Sequence, residues 1–189
     1  LARLLAAAGI KVETAESAPG RGNLWARLEG GPGKALVLLH HIDVVPADPR
    51  FWTTAPLGGE IRDGYLYGRG TVDTKSLGIF GLEAFIELHR AGKPLNRPVI
   101  FVATADEEAG GEFGAGWLVQ NRPEIFADAG LLLRPTYFSD RGLKTSAELE
   151  YVLGESGEGR IGAAALPGDD EVDSDDPRTP FSKDRWAYW

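Results

Sequence analysis

At 189 residues, the chain is long enough for one α/β domain with a substantial core and too short for two large ones. Hydrophobic residues at 43% and charged residues at 25% are ordinary for a soluble globular protein, and a formal charge of −8 argues against a protein that tracks nucleic-acid phosphates. The absence of cysteine excludes disulfides, thiolate metal sites and a cysteine nucleophile, and the absence of methionine suggests a piece of a longer protein.

The predicted elements run as follows. Residues 1–8 read as a short amphipathic helix closed by Gly9, and residues 11–14 and 23–28 alternate like strands before the turn Gly30-Gly31-Pro32-Gly33. Residues 34–41 form an apolar run of strand length, as expected of a strand buried on both faces. Its apolar core, residues 35–39, is far short of the roughly 20 residues needed to cross a bilayer. No membrane partner is therefore expected. The compartment stays open, with the cytoplasm slightly favoured. Asp63-Gly64 inside residues 61–67 predicts a hairpin. Residues 74–91 predict a helix, apolar over much of its circumference and stopped by Gly92 and Pro94. A second buried strand at 98–104, a helix at 114–120 and a third apolar strand at 129–133 complete the pattern. Buried strands alternating with helices imply an α/β, three-layer sandwich around a mostly parallel central sheet.

Composition changes after residue 133. Residues 135–189 hold 12 acids against 6 bases, whereas residues 1–134 hold 16 against 14. The run from Pro167 to Pro177 contains one apolar side chain, Val172, and cannot bury enough surface to offset its conformational entropy. The expected organisation is a folded domain over residues 1–140 and an acidic, mostly disordered tail over 141–189.

Ligand sites in open α/β sheets lie beyond the carboxyl ends of the strands. The first buried strand ends in His40-His41-Ile42-Asp43-Val44-Val45-Pro46. Residues two apart on an extended chain share a face, so His41 and Asp43 suit an imidazole ligand and the carboxylate that orients it. A satisfied strand-end histidine is the bland alternative. The second strand ends in Asp106-Glu107-Glu108-Ala109-Gly110-Gly111. Three consecutive acids after an apolar strand are costly to place together unless a cation neutralises them. If extended, Glu107 and Glu108 face opposite ways and suit different tasks, one as a ligand and one as a general base. An acidic turn before a helix is the alternative here. Between the two strands lies Gly68-Arg69-Gly70-Thr71-Val72-Asp73-Thr74-Lys75, where Asp73 occupies the place of a helix cap.

The three ordered blocks HIDVVP, GRGTVDTK and DEEAGG resemble the zinc-dependent exopeptidase family of carboxypeptidase G, carboxypeptidase S, aminoacylase and succinyl-diaminopimelate desuccinylase. The resemblance covers roughly residues 1–133. It implies that His41 binds one metal ion, Asp73 bridges two, Glu108 binds the second, Glu107 is the general base and Asp43 supports His41. It also implies a cis peptide after Asp73. The expected cofactor is zinc, with cobalt or manganese as alternatives. The expected reaction is hydrolysis of an amide bond in a small peptide or N-acyl amino acid by metal-activated water.

The chain departs from the family pattern in three respects. Arg134-Pro135-Thr136 stands where the family has a further carboxylate, no histidine follows His89, and the lid or dimerisation domain of the often dimeric family has no counterpart. The catalytic domain therefore reads as incomplete, from a truncated or out-of-frame product. Weak partial metal occupancy and a weakly active or inactive hydrolase are expected. The alternative is a catalytically dead domain retained for binding or assembly.

Overall fold

The computed structural model describes the backbone of residues 1–138 and 144–150, and side chains through residue 133. The acidic run at 167–177 and most of the expected tail lie outside the described residues. The strands are β1 (Val12–Glu16), β2 (Gly22–Leu28), β3 (Ala35–His41), β4 (Glu60–Arg62), β5 (Tyr65–Tyr67), β6 (Val99–Thr104), β7 (Ala129–Phe138) and β8 (Lys144–Glu150). The helices are α1 (Ala2–Ala7), α2 (Leu77–Ala91) and α3 (Ala115–Asn121). Six strands form one mixed sheet in the order β1-β2-β6-β3-β7-β8, and β4-β5 is a separate hairpin. The centre of the sheet is parallel, through β3–β6 and β3–β7, and antiparallel pairs flank it on both sides.

Period-two alternation divides the core between the two faces of this sheet. Leu24, Ala26 and Leu28 of β2 and Val99, Phe101 and Ala103 of β6 pack against Leu5 of α1 and Leu82, Phe85 and Ile86 of α2. Their neighbours Trp25, Ile100 and Val102 point the other way, with Ala35 and Val37 of β3, onto Leu118 of α3 and Ile125. Helices thus cover both faces, giving three layers. Every residue of β6 is buried, as its unbroken apolar run requires.

Two differences from the sequence reading concern boundaries. The long helix begins at Leu77 rather than residue 74, because Asp73 and Thr74 hold non-helical backbone angles. Its apolar circumference is only partly used: Leu77, Leu82, Phe85 and Ile86 are buried, while Phe80 is 63% exposed. Strand β7 also continues past Leu133 through Pro135. Proline has no ladder N–H, but Pro135 lies beyond the last residue paired with β3 and faces only β8, so the strand tolerates it as an edge would. Among the described residues, no helix is long and apolar enough to cross a membrane.

Candidate metal centre

Parallel register brings the carboxyl ends of β3 and β6 level, with His41 paired to Thr104. The segments that follow each strand therefore open at the same sheet edge. Between them, the turn Thr71–Ser76 leads into α2. It is fixed to the end of β3 by Lys75, whose Nζ donates to the Ile42 carbonyl. Asp73 adopts extended angles there (φ −107°, ψ 99°), and the Asp73–Thr74 peptide is cis. The cap position of α2 belongs to Ser76. Asp73 instead faces His41, its Oδ1 lying 3.2 Å from His41 Nε2.

His41, Asp73 and Glu108 come together: one nitrogen or oxygen from each lies within 4.8 Å of the others, the one such group among the described residues. His41 is buried, Glu108 half-buried, and Asp73 exposed to solvent. Glu107 joins from the same loop, with Oε2 3.9 Å from His41 Nε2. Glu107 and Glu108 do not meet the extended condition of the sequence reading: they start a single 3-10 turn, Glu107–Ala109. That turn brings both carboxylates to the site.

The ring of His41 is oriented through Asp43, though mainly by its backbone. Nδ1 lies 3.2 Å from the Asp43 carbonyl oxygen and 3.5 Å from its carboxylate. A carbonyl only accepts, so Nδ1 carries a hydrogen. Nε2 then meets the Asp73 carboxylate either as an imidazolium N–H or across a cation. Burial alone would lower the His41 pKa, but the hydrogen bond to Asp73 and the charges of Glu107, Asp73 and Asp43 outweigh it and raise it. Glu108 is pushed up by burial and then by the charge of Asp73. The carboxylates of Asp73, Glu107 and Asp43 contribute to both shifts, and a divalent ion placed among them would offset that charge. The Asp43 carboxylate, for its part, accepts from the backbone N–H groups of Glu107 at 3.2 Å and Glu108 at 3.0 Å.

One imidazole and two carboxylates within this span fit a single zinc-like ion that keeps an open position. Of the acids in the DEE run, Asp106 takes no part. It is buried and paired with Arg21 at 3.0 Å, a partner that sequence spacing gave no means of identifying. His40 is also apart from the site. It is buried against Phe101, its ring centroid 5.1 Å away, and burial, then His41 and Lys75, lower its pKa to about 4. A cavity of about 80 Å³ beside His41 and Glu107 is lined by Leu39, Thr104, Ala105 and Ala115 among others. It is too small to enclose a peptide substrate.

The profile of Peptidase family M20/M25/M40 matches residues 37–171. The chain is 44% identical over 84 residues to the N-fatty-acyl-amino acid synthase/hydrolase PM20D1 of Xenopus tropicalis, covering 44% of this chain and 16% of that protein. It is 42% identical over 119 residues to a succinyl-diaminopimelate desuccinylase of Nitrobacter hamburgensis, covering 57% and 30%. Among solved structures, human carnosine dipeptidase 1 superposes with a TM-score of 0.54 at 25% identity, over 72% of this chain and 33% of that one. The M20 family metallo-carboxypeptidase Sso-CP2 of Sulfolobus solfataricus, at 24% identity and a TM-score of 0.51, shares the fold. The chain thus spans about a third or less of the length of these relatives. With the family profile matching most of its length, the chain belongs to Peptidase family M20/M25/M40.

Proposed function

We propose that the chain carries part of the site of a metal-dependent amidohydrolase acting on a small peptide or N-acyl amino acid. The observation that carries this reading is the convergence of His41, Asp73 and Glu108 within 4.8 Å, with the Glu107 carboxylate beside them. A zinc ion held by these residues would supply Lewis acidity and a water that gives up its proton near neutral pH. His41, its Nδ1 hydrogen engaged by the Asp43 carbonyl, presents Nε2 as a ligand. Asp73 and Glu108 would supply carboxylate oxygens to the same ion. Glu107 is the general base: it takes a proton from the attacking water and returns it to the leaving nitrogen. Asp43 holds the backbone of both glutamates in place. The names of the relatives, an acyl-amino acid hydrolase, a desuccinylase and a dipeptidase, support amide hydrolysis as the reaction class.

By itself the chain is proposed to be weakly active or inactive. A two-ion clamp needs protein ligands on both ions, and the described residues offer one cluster of three. Assay of N-acyl amino acids and dipeptides with added zinc, for the parent chain and Glu107→Gln, tests both parts. Slow turnover that disappears in the variant supports the amidohydrolase. Zinc binding with no turnover in either supports the second reading, a catalytically dead domain retained for binding or assembly. Fast turnover with two tightly held ions would contradict the incomplete site.

A further inference from the structure

The loop bearing Glu107 and Glu108 is tied at both ends to the β1–β2 hairpin by a side chain outside the site described above. Asn23, on β2, is 2% exposed in a strand otherwise filled by Leu24, Trp25, Ala26 and Leu28. Its Oδ1 accepts from the Ala105 N–H at 3.1 Å. Its Nδ2 donates to the Phe113 carbonyl at 3.0 Å and to Ser17 Oγ at 3.3 Å, and Ser17 Oγ donates to that same carbonyl. The amide of Asn23 thus bridges residues 105 and 113, the two feet of the loop.

Asp106 closes the space between those feet. It is 4% exposed, has a left-handed backbone (φ 68°), and accepts from Arg21 Nε at 3.0 Å and the Phe113 N–H at 3.1 Å. Its carbonyl accepts from the N–H groups of Ala109 and Gly111. Beyond Phe113, Gly114 lies so close to the Ala105 carbonyl oxygen that a Cβ would sit 1.9 Å from it, so any side chain there would force the feet apart. A buried amide in an apolar strand is unfavourable unless its hydrogen bonds are made. Here they are made, to Ser17 Oγ and to the backbone at both feet of the loop.

We propose that Asn23, assisted by Asp106 and Arg21, is the positioning residue of the Glu107–Glu108 loop, fixing both carboxylates toward His41 and Asp73. The proposal rests on the amidohydrolase reading for what the carboxylates do, and on the hydrogen bonds alone for what holds them. It is tested on the full 189-residue chain with three variants: Asn23→Ala, Arg21→Gln and, as a control for general destabilisation, Leu5→Ala in the α1 packing layer. Amide hydrogen exchange at Glu107 and Glu108, relative to Ile100 and Phe101 of β6, reads the loop without any metal. Calorimetric zinc titration reads the ligands.

Asn23→Ala is expected to speed exchange in the loop at least tenfold relative to β6 and to weaken zinc binding at least tenfold. Leu5→Ala should lower overall stability and leave both readings at parent values. If Asn23→Ala does not fold, Arg21→Gln, altered at a half-exposed side chain, decides the matter with a several-fold acceleration. Parent-like loop exchange in whichever of these two variants folds overturns the proposal, as does faster exchange with unchanged zinc affinity. A parent chain that binds no zinc overturns the metal reading instead, and the exchange data then decide the positioning role by themselves.

Discussion

The Asp43 carboxylate accepts from the backbone N–H of Glu108 at 3.0 Å, while His41 Nδ1 leans on the Asp43 main-chain carbonyl at 3.2 Å. One residue thereby connects the β3 and β6 sides of the candidate metal centre through two separate groups. Asp43→Asn keeps the main-chain tie to His41 but offers the two glutamate amides one acceptor oxygen in place of two. Loss of a group that orients ligands typically costs 10–100-fold in metal affinity. A competition titration should find zinc affinity of Asp43→Asn lower by roughly tenfold or more. Unchanged affinity would mean that the carboxylate is dispensable.

Gly78 and His40 form a matched pair. A Cβ at Gly78 would lie 2.2 Å from His40 Cδ2, and His40 is held by Phe101 behind it. Overpacking of this kind costs about 1–3 kcal/mol. Gly78→Ala should therefore lower unfolding free energy in urea by about that amount, and much less in a His40→Ala background. Equal losses in both backgrounds would show that the two residues do not meet as described.

Much of this was legible in the sequence because the information was local. The apolar runs of β3 and β6 announce buried strands, and parallel pairing then sets His41 level with Thr104. The cluster of His41, Asp73 and Glu108 followed from the family resemblance of three short blocks. What was not legible depends on tertiary contact. Apart from the resemblance, Asp73 offered only the place of a helix cap, since nothing local distinguishes a capping aspartate from one that faces a histidine 32 residues away. Asp106 looked like one more site acid, because its partner Arg21 lies 85 residues earlier. Asn23 carried no signal, being one polar residue in an amphipathic-looking strand.

Arg27 grips Asp128 with Nη1 at 3.0 Å and Nη2 at 2.6 Å, and these hydrogen bonds hold the Asp128 carboxyl below the usual carboxylate range. A depressed folded-state pKa stabilises the protein above the ordinary value near 4, and the gain is lost as pH falls through the depressed value. Both side chains are about a third or more exposed, so screening keeps the contribution under about 1 kcal/mol. Asp128→Asn should lose roughly that much stability at pH 7 and draw level with the parent near pH 2, as measured by urea unfolding at the two pH values. A deficit that persists undiminished at pH 2 would point to a cause other than the charge.

The central claim is that His41, Asp73 and Glu108 form one ion site, and calorimetric titration of the purified chain with zinc at neutral pH tests it most directly. The account predicts at most one ion per chain, with binding lost in His41→Ala and sharply weakened in Glu108→Gln. His41 is the one residue of the cluster that offers a nitrogen, so its removal leaves two carboxylates, one of them exposed, to hold an ion. Zinc bound by His41→Ala with the affinity and stoichiometry of the parent would contradict the account.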